Sequence, residues 1–201
     1  MKKIFIGPIE IAGYYSNLEK GLKELGISCD HITYYDHRFG YNKGEAKVPL
    51  LIRITKFFNN KKNADSSFIS KVLIAFPGEF FSAAWAIYAI FKYDIFIFTF
   101  GRSLIRFNID MYLLNILNKK VISNLSSGSE ARPPYINGGY QDINLSSYPN
   151  NIIVASAKKI KKIVVRHERL ATYIVGHSLS TSHFSSNKFI NSTILGIPFQ
   201  I

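Results

Sequence analysis

The feature that most constrains this chain is a nearly continuous apolar run at residues 93–100, with the sequence YDIFIFTF. A strand that is apolar on both faces needs cover on both faces, which is typical of the parallel sheets of α/β proteins. Shorter runs of the same kind at residues 4–6 and 121–125 predict two more central strands.

Helical patterns alternate with these strands. Ser16 and Glu19 have the spacing of a capping box, which predicts a helix that begins there and stops at Gly26. The other predicted elements are strands at 29–35 and 172–175 and helices at 50–58, 80–91, 108–117 (capped by Asn108) and 151–169. This alternation predicts a single Rossmann-like α/β domain over residues 1–201, doubly wound, with a mainly parallel sheet flanked by helices.

The most apolar helical segment, residues 80–91, is about a dozen residues long, whereas a membrane span needs about 20. Pro77 and Glu79 interrupt the apolar stretch on one side, and Lys92 and Asp94 on the other. The pattern therefore predicts a buried core helix.

The formal charge of +12 favours anionic partners. Basic residues concentrate on the predicted helix at 151–169 and around Phe57 and Phe58, and both regions are candidate contacts with an anionic membrane surface. Such contact would be peripheral and electrostatic; the alternative for the helix is a solvated face. Nucleic acid is not an expected partner, because no known nucleic-acid-binding signature is present.

Two further features of the sequence indicate the cellular compartment of the protein. Cys29 is the only cysteine, so no intramolecular disulfide can form, and the N-terminus lacks a secretory signal. We expect a cytoplasmic protein, with peripheral attachment at the inner face of the membrane as its one membrane association.

Ligands of doubly wound sheets bind beyond the carboxyl ends of the strands. In the first such loop, Gly13 and Tyr14 are candidate substrate-binding residues, because glycine lets the backbone approach a ligand and the next helix offers free N–H groups. The Gly-x-Gly-x-x-Gly spacing of dinucleotide-binding proteins is absent, and an ordinary strand-to-helix turn is the alternative.

The loop after the strand at 121–125 combines hydroxyls, a carboxylate and a guanidinium. Groups of this kind suit sugar hydroxyls and phosphate, although pairing within the loop would explain the charges equally well. The candidate binding residues here are Ser127, Gly128, Ser129, Glu130 and Arg132. His177, after the last predicted strand, is a further candidate, without an acidic residue nearby in sequence to orient it.

Several segments in order resemble bacterial GT-B glycosyltransferases that build surface or capsular polysaccharides. The opening GPIEIAGYY is similar to that family's first loop, and GSEARP is similar to a loop usually written His-Gly-Ser-Asp-x-Arg. Ser127 stands where the family has histidine, and Glu130 where it has aspartate. The segments NIDMYLL, KKVI and LGIPF resemble an internal helix, an internal strand and the linker that closes the N-terminal domain.

The resemblance implies the acceptor-side domain of a two-domain enzyme. Its partners would be a nucleotide-sugar donor, held mainly by a C-terminal domain that we expect to be absent here, and a glycan or lipid-linked acceptor. No cofactor and no metal are implied, and no catalytic residue is assigned. We expect the chain alone to transfer no sugar and its uncovered surface to favour self-association. The open alternatives are a non-catalytic membrane-surface module and a small Rossmann enzyme for another nucleotide.

Overall fold

The structure, a computed structural model, describes residues 2–34, 48–60, 68–126, 128–136, 150–177, 183–184 and 189–192. Its strands are β1 (Ile4–Gly7), β2 (Cys29–His31), β3 (Ile95–Thr99), β4 (Lys120–Leu125), β5 (Tyr173–Gly176) and β6 (Phe189–Asn191). Its α-helices are α1 (Tyr14–Glu24), α2 (Leu50–Asn60), α3 (Phe68–Lys92), α4 (Asp110–Ile116) and α5 (Asn150–Leu170). Two short 3₁₀ turns lie at Arg106–Asn108 and Pro134–Ile136.

All six strands are parallel and lie in the order β2-β1-β3-β4-β5-β6. The order changes direction at β1, because β2 lies on one side of it and the later strands on the other. Ile6 faces α1, whereas its neighbour Phe5 faces the core formed with α2, α3 and α4, so the helices cover both faces of the sheet. The predicted Rossmann-like α/β fold is confirmed.

The core is built around aromatic rings at the junction of β1 and β3. The Phe5 ring centroid lies 5.6 Å from that of Tyr93, 5.9 Å from that of Phe96 and 6.2 Å from that of Phe98. All four side chains are fully buried. Two-sided burial explains why the strand predictions at residues 4–6 and 93–100 hold, since both strands are covered by helices.

Helix α1 begins two residues before the predicted capping box. Gly13 is its N-cap, with φ of 80°, and as a glycine it has no side chain that could cap the helix. The Ser16 hydroxyl donates to the Gly13 carbonyl, and Glu19 accepts the His31 N–H instead of one in its own helix. The capping-box prediction is therefore wrong, because a long-range contact takes the carboxylate. The predicted stop at Gly26 is confirmed, with φ of 74°.

Helix α3 differs more from its prediction. It begins twelve residues before position 80 and passes through Pro77, which we expected to interrupt it. Gly78, Ser82 and Ala86 recur at helical spacing on its buried side, and packing there outweighs the one backbone hydrogen bond that proline removes. One side of α3 packs on the sheet, as predicted for a core helix, whereas the opposite side is exposed, which the prediction did not include.

Asn108 is buried and does not cap α4, whose N-cap is Ile109. Its side-chain oxygen accepts the Ser103 N–H, which identifies the other amide atom as nitrogen; that nitrogen donates to the Gly101 carbonyl and lies 2.8 Å from Nε2 of His167. Nε2 is thus an acceptor. Nδ1 carries the proton and donates to the Ser123 hydroxyl at 2.6 Å. This network fastens the loop after β3 to α5 and β4.

Gly7 and Gly21 form a matched pair for testing the fold. A methyl group on Gly7 would lie 2.2 Å from the Ile32 carbonyl oxygen, whereas one on Gly21, within α1, meets nothing within 4 Å. We expect Gly7→Ala to lower the free energy of unfolding by about 2–3 kcal/mol. Gly21→Ala should raise it by roughly 0.5–1 kcal/mol. Urea titration measures both, and equal effects would contradict the packing of β1 against Ile32.

His167 should make the protein acid-sensitive. Burial lowers its pKa from 6.5 to about 4 in the folded state. Between these values the unfolded chain binds a proton that the folded protein does not, so stability falls as the pH falls. The loss should reach on the order of 3 kcal/mol by pH 4.

The variant His167→Gln removes this ionisation and should flatten the decline between pH 6.5 and 4. Burial also lowers the pKa of His31, and it raises the pKa of the Asp110 carboxyl, which stabilises the folded protein as the pH falls. The quantity to compare is therefore the difference in free energy of unfolding between the variant and wild type at each pH. Exposed His183→Gln is the control. Parallel pH profiles for wild type and His167→Gln would refute the assignment.

Candidate functional site

The candidate site lies at the carboxyl edge of the sheet, where β1 and β3 are neighbours and the strand order reverses. Open α/β sheets place their ligands at such a point. The Thr99 hydroxyl, at the end of β3, accepts the Ile9 N–H at 2.9 Å and donates to the Ile9 carbonyl at 2.8 Å. This pair of hydrogen bonds holds the loop after β1 against β3.

The N-terminus of α1 is occupied by a carboxylate from the protein itself. Glu10 accepts the N–H groups of Ile11, Tyr15 and Ser16 at 2.7, 3.2 and 2.8 Å. Its side chain is 3% exposed, and Oε2 lies 3.7 Å from Nδ1 of His31. Phosphate binds at this position in dinucleotide-binding proteins because N–H groups and the helix dipole converge there. Here those N–H groups already have an anionic acceptor.

Tyr14 contributes to the edge through its phenol. The phenol hydrogen-bonds the Asn124 side chain near the end of β4, and burial raises the pKa of Tyr14, so the hydroxyl stays protonated. Asn124 in turn accepts the Ser126 N–H at 3.1 Å and its hydroxyl at 2.6 Å. A phenol, an amide and a hydroxyl are therefore adjacent. Gly13 contributes only backbone, as the N-cap of α1.

The loop after β4 brings three of the predicted residues together. A methyl group on Gly128 would lie 3.9 Å from Oε2 of Glu130 and 4.0 Å from Nη2 of Arg132. Glu130 is buried and Arg132 half-buried. A methyl on Gly101 would lie 3.7 Å from the Glu130 Cβ, so the loops after β3 and β4 are in close approach.

The remaining predicted residues are less informative. Ser129 is exposed, and Ser127 lies outside the described residues, as does the predicted linker at 195–199. Gly176 pairs with Leu125, which places His177 level with Ser126 at the same edge. Among the described residues, no group of three or more His, Cys, Asp or Glu side chains has the arrangement of a metal site.

Helix α5 extends beyond this edge. A methyl on Gly101 would lie 3.0 Å from Cγ2 of Ile163, so the part of α5 before Ile163, about 20 Å long, lies past the end of β3. That part carries a shallow pocket of ≈ 210 Å³, lined by Ile153, Val154, Ala157, Lys158, Lys161 and Phe184. The edge loops thus have a basic, partly apolar wall beside them.

Three important residues of the edge were not predicted from the sequence: Glu10, Thr99 and Asn124. Two of them join segments far apart in the chain. Thr99 contacts Ile9, which is 90 residues away, and Asn124 contacts Tyr14, which is 110 residues away. Glu10 binds N–H groups one to six residues further along the chain. One available signal was polarity, since Thr99 ends the otherwise apolar strand β3 and Asn124 is a polar residue near the end of β4.

The fold and site define a six-stranded parallel α/β protein of Rossmann type with a polar carboxyl edge. No protein family, curated protein or solved structure matches this chain. The likeness to GT-B glycosyltransferases consequently rests on sequence motifs alone.

The carboxylate at α1 can be tested by removing it. Glu10→Ala leaves the Tyr15 and Ser16 N–H groups without their acceptor and should lower the free energy of unfolding by about 3 kcal/mol. It also opens an anion-sized space at a helix N-terminus. Inorganic phosphate should therefore raise the melting temperature of Glu10→Ala more than that of wild type.

Glu24→Ala is the matched control, because Glu24 is an exposed acid at the other end of α1. It should change neither stability nor the response to phosphate appreciably. An equal phosphate response in wild type and Glu10→Ala would show that Glu10 does not occupy the site.

Proposed function

We propose that this chain is the acceptor-side domain of a GT-B-type glycosyltransferase and that its carboxyl edge binds a sugar-containing acceptor. The observation that carries the proposal is the adjacency of the Tyr14 phenol, the Asn124 amide and the Ser126 hydroxyl. Groups that both donate and accept hydrogen bonds suit the hydroxyls of a sugar. Two of the motifs that resemble the family, GPIEIAGYY and GSEARP, lie at this same edge.

Glu130 and Arg132 add charge beside these neutral groups. A guanidinium can bind a carboxylate or phosphate through two parallel hydrogen bonds, and a carboxylate can accept hydrogen bonds from two sugar hydroxyls. Arg132 is thus the candidate contact for an acidic sugar or a lipid-linked phosphate on the acceptor. Neither residue is assigned a proton-transfer role.

Glu10 favours this proposal over a small Rossmann enzyme for another nucleotide. Such an enzyme would bind its pyrophosphate at the N-terminus of α1, where the Glu10 carboxylate accepts three hydrogen bonds. A nucleotide-sugar donor would instead be held by a second domain. This chain would position the acceptor and form one wall of the site where the leaving diphosphate is stabilised.

Ligand titration followed by NMR of the backbone amides tests the proposal. We expect at least one glycan in a panel of neutral and acidic oligosaccharides to shift the amides of Asn124 and Ser126. Asn124→Ala and Arg132→Ala should each weaken that binding by about tenfold, the effect of losing roughly 1.4 kcal/mol. Arg169→Ala, on the exposed last turn of α5, should leave it unchanged.

Two results would contradict the proposal. One is tight binding of NAD⁺ or NADP⁺ with shifts confined to Gly13 and Tyr14, which would favour the dinucleotide enzyme. The other is glycan binding that survives in both edge variants, which would place the sugar elsewhere. Circular dichroism of each variant separates loss of binding from loss of fold.

A further inference from the structure

Four large apolar side chains form a line along the outward side of α3: Phe76, Phe80, Ile87 and Phe91. They are 57–79% exposed. Their spacing places them within an arc of about 60° of the helix, over a length of about 22 Å. We call these four residues the α3 stripe. An amphipathic helix normally buries such a face, so this one has an unusual apolar surface turned to solvent.

Helix α2 widens this surface on one side. It is held against α3 by the stacked rings of Phe58 and Phe81, whose centroids are 6.4 Å apart. On α2, Leu50 and Phe57 are 69% and 56% exposed, and the Phe57 ring packs edge-on against that of Phe58, with centroids 5.6 Å apart. The apolar surface therefore covers the outer side of two packed helices.

Basic groups lie on both sides of the α3 stripe. Arg53 is exposed on α2 between Leu50 and Phe57. Across the stripe, Arg106 lies 3.9 Å from Glu79, at Nη1 and Oε1. Glu79 is the only acidic residue in the sequences of α2 and α3. The surface is thus apolar along its centre, with exposed Arg53 on one border and the Arg106–Glu79 ion pair on the other.

We propose that the α3 stripe docks this protein onto an anionic lipid bilayer, with α3 lying in the plane of the interface. A helix that inserts one apolar face and presents cationic borders to lipid headgroups binds in this way. None of the helices in the described ranges is long and apolar enough to cross a membrane. The formal charge of +12 favours an anionic bilayer over a second copy of the chain, because two copies repel each other.

Of the two attachments expected from the sequence, the α3 stripe adjoins the region of Phe57 and Phe58 and does not use the basic face of α5. Bound through the α3 stripe, the protein gains apolar contact that salt does not screen. The inference is also independent of the proposed function. Asn124 and Tyr14 lie on the α1 side of the sheet, whereas α3 packs on the opposite side, so variants of one surface leave the other intact.

Vesicle co-sedimentation tests the proposal, with vesicles of equal parts phosphatidylcholine and phosphatidylglycerol. Wild type should bind, with part of the binding retained at high salt. The double variant Phe80→Ser with Phe91→Ser should bind roughly tenfold more weakly or worse, because two inserted rings are lost. The matched control, Ile152→Ser with Val154→Ser, removes two half-exposed apolar residues of α5 and should bind as wild type does.

A dye attached at a single position tests the orientation. Cys29 is buried, so Phe91→Cys and Lys159→Cys can each be labelled with an environment-sensitive fluorophore. Vesicles should shift the emission of the label at position 91 to the blue and leave the label at position 159 unchanged.

Four results of the binding and labelling experiments would overturn the proposal. They are absence of wild-type binding, full binding by the Phe80/Phe91 variant, a blue shift at position 159 alone, and loss of binding when Lys159→Ser and Lys162→Ser are combined while the Phe80/Phe91 variant still binds. Light scattering is the last check. A wild-type dimer that the Phe80/Phe91 variant dissociates, with no change in vesicle binding, would assign the stripe to self-association and also overturn the proposal.

Discussion

The contact of the Phe5 ring with the rings of Phe96 and Phe98 is the interaction on which the rest of the structure depends. It fixes β1 beside β3, and this adjacency creates the reversal of strand order at which the carboxyl-edge loops meet. Tyr93 extends the same cluster to β2, because its hydroxyl donates to Asp30 at 2.6 Å. Without this aromatic junction, the loops after β1, β3 and β4 would have no common edge.

The sequence predicts the strands of this fold better than its helix ends. Residues 93–100 are covered on both faces, and an apolar run reports that directly. Helix starts depend here on contacts outside the helix itself: Glu10, in the loop just before α1, caps it, Glu19 of α1 binds β2, and Asn108 joins a network with His167. Local motifs could not predict these contacts. The short strand β6 (Phe189–Asn191) was not predicted either, since it has only three residues.

For the candidate site, the general rule about carboxyl edges located the loops correctly but not all of their partners. Tyr14, Gly128, Glu130 and Arg132 lie at the edge as the loop positions predict. The Asn124 contact of Tyr14 could not be predicted, because it joins residues 110 positions apart across the sheet. The exposed side of α3 was not predicted for a related reason. Apolar side chains predict a buried helix, and which side of the helix stays exposed depends on how α2 and the sheet pack against it.

Glu10 gives the loop after β1 the character of a self-inhibited anion site. The Glu10 carboxylate is joined by a short loop to the helix N-terminus that it occupies, and this loop sets its effective concentration there. A phosphate in solution therefore competes against an intramolecular ligand. A phosphate would bind at this position only by displacing the Glu10 carboxylate from these N–H groups. The Glu10 carboxylate, together with the absence of the Gly-x-Gly-x-x-Gly spacing, distinguishes this loop from those of dinucleotide-binding proteins. The same loop with a shorter side chain at position 10 would leave these N–H groups open to an anion.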